Sequence, residues 1–85
     1  SFGEATVLRP GQHRMLLSSE NQSAKIGLLP IQGEAQGVTT SGLKWDLSNQ
    51  TLRMGEFISS SNEAIAKEVM ISTRTPLLWT FSLPD

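Results

Sequence analysis

The side chains best suited to acid–base chemistry are few and scattered. His13 is the single histidine, and a histidine that acts as a general base needs an orienting carboxylate and a nucleophile within reach. Its sequence neighbours, GQHRM, supply only Arg14. We therefore expect His13 to point into solvent on the face opposite Met15, and we predict no catalytic residue and no enzymatic activity. The acidic residues are spread along the chain, at Glu4, Glu20, Glu34, Asp46, Glu56, Glu63, Glu68 and Asp85.

Metal and phosphate chemistry find equally little support. The chain has no cysteine, so a zinc site would have to depend on dispersed carboxylates and one histidine. The segment GEAQG, with Gly33 and Gly37, resembles a phosphate loop only in its glycines, because no Gly-Lys-Ser/Thr follows it. We predict neither a metal nor a cofactor.

The charge pattern argues against two classes of partner. Seven basic residues against eight acidic ones give a net charge of −1, with no run of either sign. A nucleic-acid-binding domain usually has a basic patch, and a membrane-surface helix has a basic face. No apolar stretch reaches the roughly 18–20 residues that span a bilayer. We expect no nucleic acid partner and no membrane insertion.

The five aromatic residues could form a stacking platform for a ring-shaped ligand or belong to the core. Trp45, Trp79 and Phe81 alternate in phase with leucines, which favours the core. Phe2 and Phe57 are less constrained by their neighbours. The predicted core is Trp45, Leu47, Leu52, Val69, Ile71, Trp79 and Phe81.

Hydrophobic residues recur mainly at every second position, which is the period of a half-buried strand. The pattern predicts strands at 4–9, 13–18, 24–31, 38–40, 68–74 and 77–83, with Pro30 ending its strand or placing it at an edge. In the stretch 43–54, a hairpin with a four-residue loop would place Trp45 opposite Met54. A two-residue loop would instead put Lys44 opposite Arg53, a repulsive pair, so we predict the four-residue loop.

The segment around residues 62–67 is ambiguous. Ser60 and Glu63 have the spacing of a helix-capping box, and Ala64, Ala66 and Lys67 are good helix formers. We predict a short helix or turn there, followed by a strand.

About six or seven short strands in one 85-residue domain predict an all-β fold, either a small antiparallel β-sandwich or a partly open barrel. The apolar alternation of residues 77–83 predicts an inner or partner-covered strand. The candidate interaction surface is Leu77, Leu78, Thr80, Ser82, Phe57 and Phe2.

The function these features favour is a non-enzymatic structural or protein-interaction module, as a domain or subunit of a larger assembly with a protein partner or a second copy of itself. An extracytoplasmic or cell-surface location is slightly favoured. The alternative is a β-domain that binds a small ligand or carbohydrate through loops near 19–23 and 57–62, and an exposed aromatic residue beside those loops would favour it. Asn21 and Asn49 lie in sequons for N-glycosylation, both in expected loops.

Overall fold

The computed structural model describes residues 3–17, 24–56 and 59–82. These residues form eight strands and no helix, and none of them belongs to a helix long and apolar enough to cross a membrane. The strands are β1 (Gly3–Leu8), β2 (Gly11–Leu16), β3 (Lys25–Pro30), β4 (Glu34–Ser41), β5 (Gln50–Arg53), β6 (Ser59–Glu63), β7 (Glu68–Thr73) and β8 (Leu77–Ser82).

Two four-stranded antiparallel sheets pack face to face. One has the strand order β1-β8-β3-β6 and the other β2-β7-β4-β5. The predicted all-β antiparallel sandwich is therefore confirmed.

The core forms because alternate residues of the central strands point between the sheets. In β8, Leu77, Trp79 and Phe81 are buried while the residues between them are half-buried. In β7, Val69 and Ile71 follow the same pattern. Six of the seven predicted core residues are buried, and the exception is Trp45.

The last strand is an inner strand, as its hydrophobicity predicted. β8 pairs with β1 on one side and β3 on the other, with Trp79 opposite both Thr6 and Leu28. Leu83, the end of the predicted segment, lies outside the described residues. Pro30 ends β3, which is an inner strand as well.

The predicted hairpin at 43–54 was wrong. β5 pairs with β4, so that Leu52 lies opposite Ala35, and Trp45 and Met54 are both exposed. Leu43 and Leu47 are buried, but the chain between them turns. Their even spacing in the sequence therefore resembles that of a strand, although these residues form a loop. Asn49 lies exposed just before β5, and Asn21 is outside the described residues.

The segment 62–67, predicted as a short helix or turn, contains no helix and bends only at residues 66–67, just before β7. Residues 59–63 form β6, which pairs with β3 and places Asn62 opposite Ile26. Ala64 forms a bridge with Leu43 instead of starting a helix, since helix propensity is a weak local preference. The segment near 59–62 is consequently an edge strand and not a loop.

Candidate functional site

The tryptophan loop, residues 42–47, connects β4 to β5 and runs beside the end of β6. Lys44 N donates to Glu63 O at 2.8 Å, and Ile65 N donates to Gly42 O at 2.9 Å. Leu43 and Ala64 form the antiparallel bridge between these two contacts. The loop therefore joins the two sheets, because β4 belongs to one and β6 to the other.

Gly42 is required for the sharp turn at which the loop begins. Its φ is +92°, a conformation that residues with a side chain rarely adopt. A Cβ atom at this position would overlap the carbonyl oxygen of Glu68. The loop can therefore leave β4 in this direction only with glycine at residue 42.

Thr40 and Asp46 fix the inner side of the loop. Asp46 Oδ1 accepts hydrogen bonds from the Thr40 hydroxyl at 2.9 Å and from Leu43 N at 3.0 Å. The Thr40 hydroxyl oxygen accepts from Leu47 N at 2.9 Å. Thr40 N also donates to Leu47 O at 2.9 Å, so the loop is bonded at both of its ends.

Asn62, a buried residue of β6, fixes the middle of the loop at Trp45. Its Oδ1 accepts from Trp45 N at 3.0 Å, and its Nδ2 donates to Trp45 O at 2.6 Å. The Trp45 main chain is thus bonded to the sheet through one side chain.

The Trp45 indole itself stays exposed at the surface. It is 55% exposed, and Lys44 Nζ lies 4.8 Å from the centre of its ring. Lys44 Nζ is also 3.8 Å from Glu63 Oε2. An exposed indole on a bonded loop can stack on a flat ring and attract a positive charge, since the face of an aromatic ring is electron-rich.

A second surface feature adjoins the start of this loop at Thr40 and Ser41. An open cavity of about 200 Å³ on the sheet that contains β2, β7 and β4 is lined by Gln12, Thr39, Thr40, Ser41, Met70 and Ser72. Within residues 3–17, 24–56 and 59–82, no three histidine or acidic side chains are grouped closely enough to hold a metal ion.

His13 does not take the predicted orientation. It lies on β2 with the same alternation as Met15, and both side chains are half-buried. Its Nε2 donates to Arg9 O at 2.7 Å. The expected solvent-facing orientation opposite Met15 was wrong, because residues two apart in a strand share a face.

The candidate interaction residues fall in three different environments. Leu77 is fully buried in the core and so does not lie on the surface of the folded chain. Leu78, Thr80 and Ser82 are half-buried on the outer face of β8. Phe2 and Phe57 lie outside the described residues, as does the predicted ligand loop at 19–23. Of the two predicted ligand segments, only residues 59–62 can be located, and they lie beside Trp45.

Trp45 is a surface residue, although its alternation with leucines predicted a core position. Gly42 and Asp46, on either side of Leu43 and Trp45, are both turn-forming residue types and could have indicated a loop. Alternation with Leu43 and Leu47 outweighed that signal, and Trp45 was assigned to the core.

Comparison with known protein families identifies the domain. Residues 12–78, well over half of the chain, match the family "Thiamin pyrophosphokinase, vitamin B1 binding domain". The chain belongs to this family. The matched residues include the tryptophan loop and β6, so the vitamin B1 binding domain contains the whole of the site described above.

Relatives of this vitamin B1 binding domain occur in plants. It is 40% identical over 72 residues to thiamine pyrophosphokinase 2 of Arabidopsis thaliana, covering 85% of this chain and 27% of that protein. It is 38% identical over 72 residues to thiamine pyrophosphokinase 2 of Oryza sativa subsp. japonica, with the same coverage. The chain therefore spans about a quarter of the length of these relatives.

Solved structures share the fold. The yeast thiamin pyrophosphokinase matches with a TM-score of 0.84 and 22% identity, over 96% of this chain and 27% of that one. The thiamine pyrophosphokinase from Bacillus subtilis matches with a TM-score of 0.83 and 20% identity, over 98% of this chain and 38% of that one.

These findings correct four expectations. The interpretation as a non-enzymatic structural or assembly module was wrong, because the family is a vitamin-binding domain of pyrophosphokinases. The prediction of no enzymatic activity was also wrong, because the relatives and the solved neighbours are thiamine pyrophosphokinases. The description as an assembly subunit was wrong for the same reason. The expected extracytoplasmic or cell-surface location was wrong, because the relatives and a solved neighbour are thiamine pyrophosphokinases. The alternative, a small-ligand-binding β-domain, agrees with the family.

Proposed function

We propose that this chain is the thiamine-binding domain of a thiamine pyrophosphokinase and that Trp45 is a contact surface for thiamine. The observation that carries the proposal is the exposed indole on a loop bonded to both sheets, in a domain of the vitamin B1 binding family. Hydrogen bonds hold the main chain beneath the indole, and loops positioned by a rigid scaffold often carry the residues that bind a ligand.

Thiamine has the chemistry that such a surface binds. It carries two flat heterocycles, one of which is a permanently charged thiazolium. The face of a tryptophan attracts a cation, and a ring stacked on it buries apolar area at the same time. Lys44 lies over the Trp45 ring. A thiamine ring on that same face would therefore displace the ammonium group of Lys44, whereas a ring on the other face would not.

The proposal assigns binding to this chain and transfer of the pyrophosphate group to the rest of a longer protein. The relatives are more than three times as long as the part that this chain matches. A nucleoside triphosphate donor would then be bound outside these 85 residues.

Titration with thiamine tests the proposal. The protein as its gene encodes it is titrated by calorimetry, alone and with ATP and Mg²⁺, and thiamine diphosphate formation is measured in parallel. The Trp45→Ala variant should bind thiamine at least about tenfold more weakly, which corresponds to ~1.4 kcal/mol. Met54→Ala is the matched control, because Met54 is 54% exposed and lies after β5. Equal affinity of the Trp45→Ala and unaltered proteins would exclude Trp45 from the site.

We also propose that the outer face of β8 contacts a protein partner or a second copy of the chain. Leu78 lies there between its register partners Val7 and Leu29, and Val7 is 59% exposed. Light scattering at several concentrations tests this proposal, and Val7→Lys should then lower the mass of any oligomer. A monomeric mass at every concentration would exclude a second copy of the chain as the partner. The partner would then be a different protein, and Val7→Lys should weaken its binding.

A further inference from the structure

The Asn62 carboxamide has every hydrogen-bonding position filled by protein. Besides its two bonds to the Trp45 main chain, Oδ1 accepts from Glu63 N at 2.9 Å and Nδ2 donates to Ser59 Oγ at 3.3 Å. A carboxamide has two donor hydrogens and an acceptor oxygen with two lone pairs, so none remains for a ligand.

Burial separates the roles of Asn62 and Trp45. Asn62 is only 3% exposed, whereas Trp45 is 55% exposed. A buried polar side chain with all of its bonds made holds its partners firmly, because breaking one bond leaves a buried polar group without a partner. Asn62 is therefore the rigid, buried residue under the loop, and Trp45 is the exposed residue that can touch a ligand.

We propose that Asn62 is a positioning residue for thiamine, acting through Trp45 without touching the ligand. The inference rests on the proposed function and goes beyond it by naming a buried residue that sets affinity. Without the bonds from Asn62, the Trp45 main chain can adopt several conformations, and binding must then select one of them. The Trp45 indole moves with its main chain, so it would have to be ordered when thiamine binds. Ordering one side chain on binding lowers affinity by about 3- to 10-fold.

The test uses substitutions at Asn62 in the protein as its gene encodes it. Asn62→Ala removes both bonds to Trp45. Asn62→Ser keeps a polar group for one buried partner but is too short to bond both atoms of Trp45, so it serves if Asn62→Ala fails to fold. Leu8→Ala is the control, because it makes a cavity in the core at the opposite edge of the same sheet.

Two readouts separate positioning from general destabilisation. Thiamine affinity should fall about 3- to 10-fold in the Asn62 variants and stay unchanged in Leu8→Ala. The fluorescence anisotropy of Trp45, obtained by subtracting the signal of Trp45→Phe, should show faster motion in the Asn62 variants only. In a Trp45→Ala background, Asn62→Ala should have no further effect on affinity, because the two residues act as one unit.

Three outcomes would overturn the inference. The first is unchanged thiamine affinity in a folded Asn62 variant. The second is an equal loss of affinity in the presence and absence of the Trp45 indole, which would mean that Asn62 acts on the ligand by another route. The third is an unaltered protein that binds no thiamine, which overturns the proposed function as well and is thereby distinguished from the first two.

Discussion

The hydroxyl group of Thr40 bonds to both sides of the loop that it supports: it donates to Asp46 Oδ1 and accepts from Leu47 N, each at 2.9 Å. Thr40 is the last inward-pointing residue of β4, and it is buried. A single hydroxyl therefore determines where the chain turns from the sheet into the exposed loop.

Replacing Thr40 with valine should lower the free energy of unfolding by about 1–3 kcal/mol. The valine keeps the shape of threonine but leaves Asp46 and the Leu47 amide without this partner. Unfolding in urea, followed by circular dichroism, measures the change. Thr51→Val, on an exposed position of β5, is the control and should change stability by no more than about 0.5 kcal/mol. Equal effects of the two substitutions would show that the Thr40 bonds add nothing to stability.

The two tryptophans should differ sharply in their effect on stability. Trp79 is 1% exposed and lies in the centre of the core, so Trp79→Ala should cost about 3–5 kcal/mol, comparable to the whole stability of a small domain. Trp45→Ala should cost less than about 1 kcal/mol, because more than half of that side chain is already in solvent. Thermal unfolding of both variants checks the contrast. A Trp45→Ala protein that unfolds as readily as Trp79→Ala would show that the indole packs on the core.

Alanine at Gly42 should be far more damaging than alanine at Gly33. Both glycines have positive φ, +92° and +84°, which costs roughly 1–2 kcal/mol for a residue with a Cβ. A methyl group at Gly33 would meet nothing within 4 Å, whereas at Gly42 it would overlap the backbone of Glu68. We expect Gly33→Ala to fold with a modest loss of stability and Gly42→Ala to lose several times more. Two-dimensional NMR spectra of the pair decide this, and similar spectra and melting temperatures would contradict it.

The contribution of Glu34 to stability should depend on pH. The Gln36 side chain, whose Nε2 donates to Glu34 Oε2 at 3.2 Å, lowers the pKa of Glu34 below its usual 4.5, and the Arg53 guanidinium adds to this over the partial opposing effect of burial. Because the folded-state pKa lies below the unfolded one, the stabilisation is complete above about pH 4.5. It is lost as the pH falls through the folded-state pKa.

Glu34→Gln removes the group that titrates, so it should make the free energy of unfolding less dependent on pH in the acid range. Gln36→Ala should shift the pKa of Glu34 upward, which NMR titration measures directly. A Glu34→Gln protein with an unchanged acid transition would show that the carboxylate contributes nothing to the pH dependence.

Removing residues 76–85 should abolish the fold. β8 lies between β1 and β3, so its loss leaves β1 with no neighbour in its sheet and leaves one edge of β3 unpaired. It also removes Leu77, Trp79 and Phe81 from the core. The shortened chain should show no cooperative transition in a thermal melt. A folded shortened chain would mean that the remaining strands close the sheet without β8.

The strands with the most buried residues were predictable from the sequence. β3, β7 and β8 combine alternating large apolar residues with turn signals at their ends, so both their type and their approximate bounds follow from the pattern. β6 gave no such signal, because an edge strand of the sequence SSSNE buries little apolar surface. Its capping-box spacing and the alanines that follow indicated a helix instead.

The candidate site was harder to predict, because its geometry depends on contacts between residues distant in sequence. Asn62 and Trp45 are 17 positions apart, and nothing in their local patterns shows that they meet. Trp45 also lies in phase with two buried leucines, so its exposure follows only from the turn that Gly42 permits. A loop in which buried residues alternate with a surface residue has the same hydrophobic pattern as a strand, so the sequence does not distinguish the two.

The pairing of β1 with β8 has a consequence for how the sandwich can be rebuilt. Gly3 and Ser82 are register partners, so their Cα atoms are separated by roughly 5 Å, the distance between opposed residues of an antiparallel pair. A short glycine-rich linker could join them, and the chain could be opened at the exposed turn of residues 31–33 between β3 and β4. Such a circular permutant would keep every strand pair while presenting its new ends on the other side of the molecule. For the same reason, the domain can be grafted into a surface loop of a host protein without forcing the two halves of that host apart.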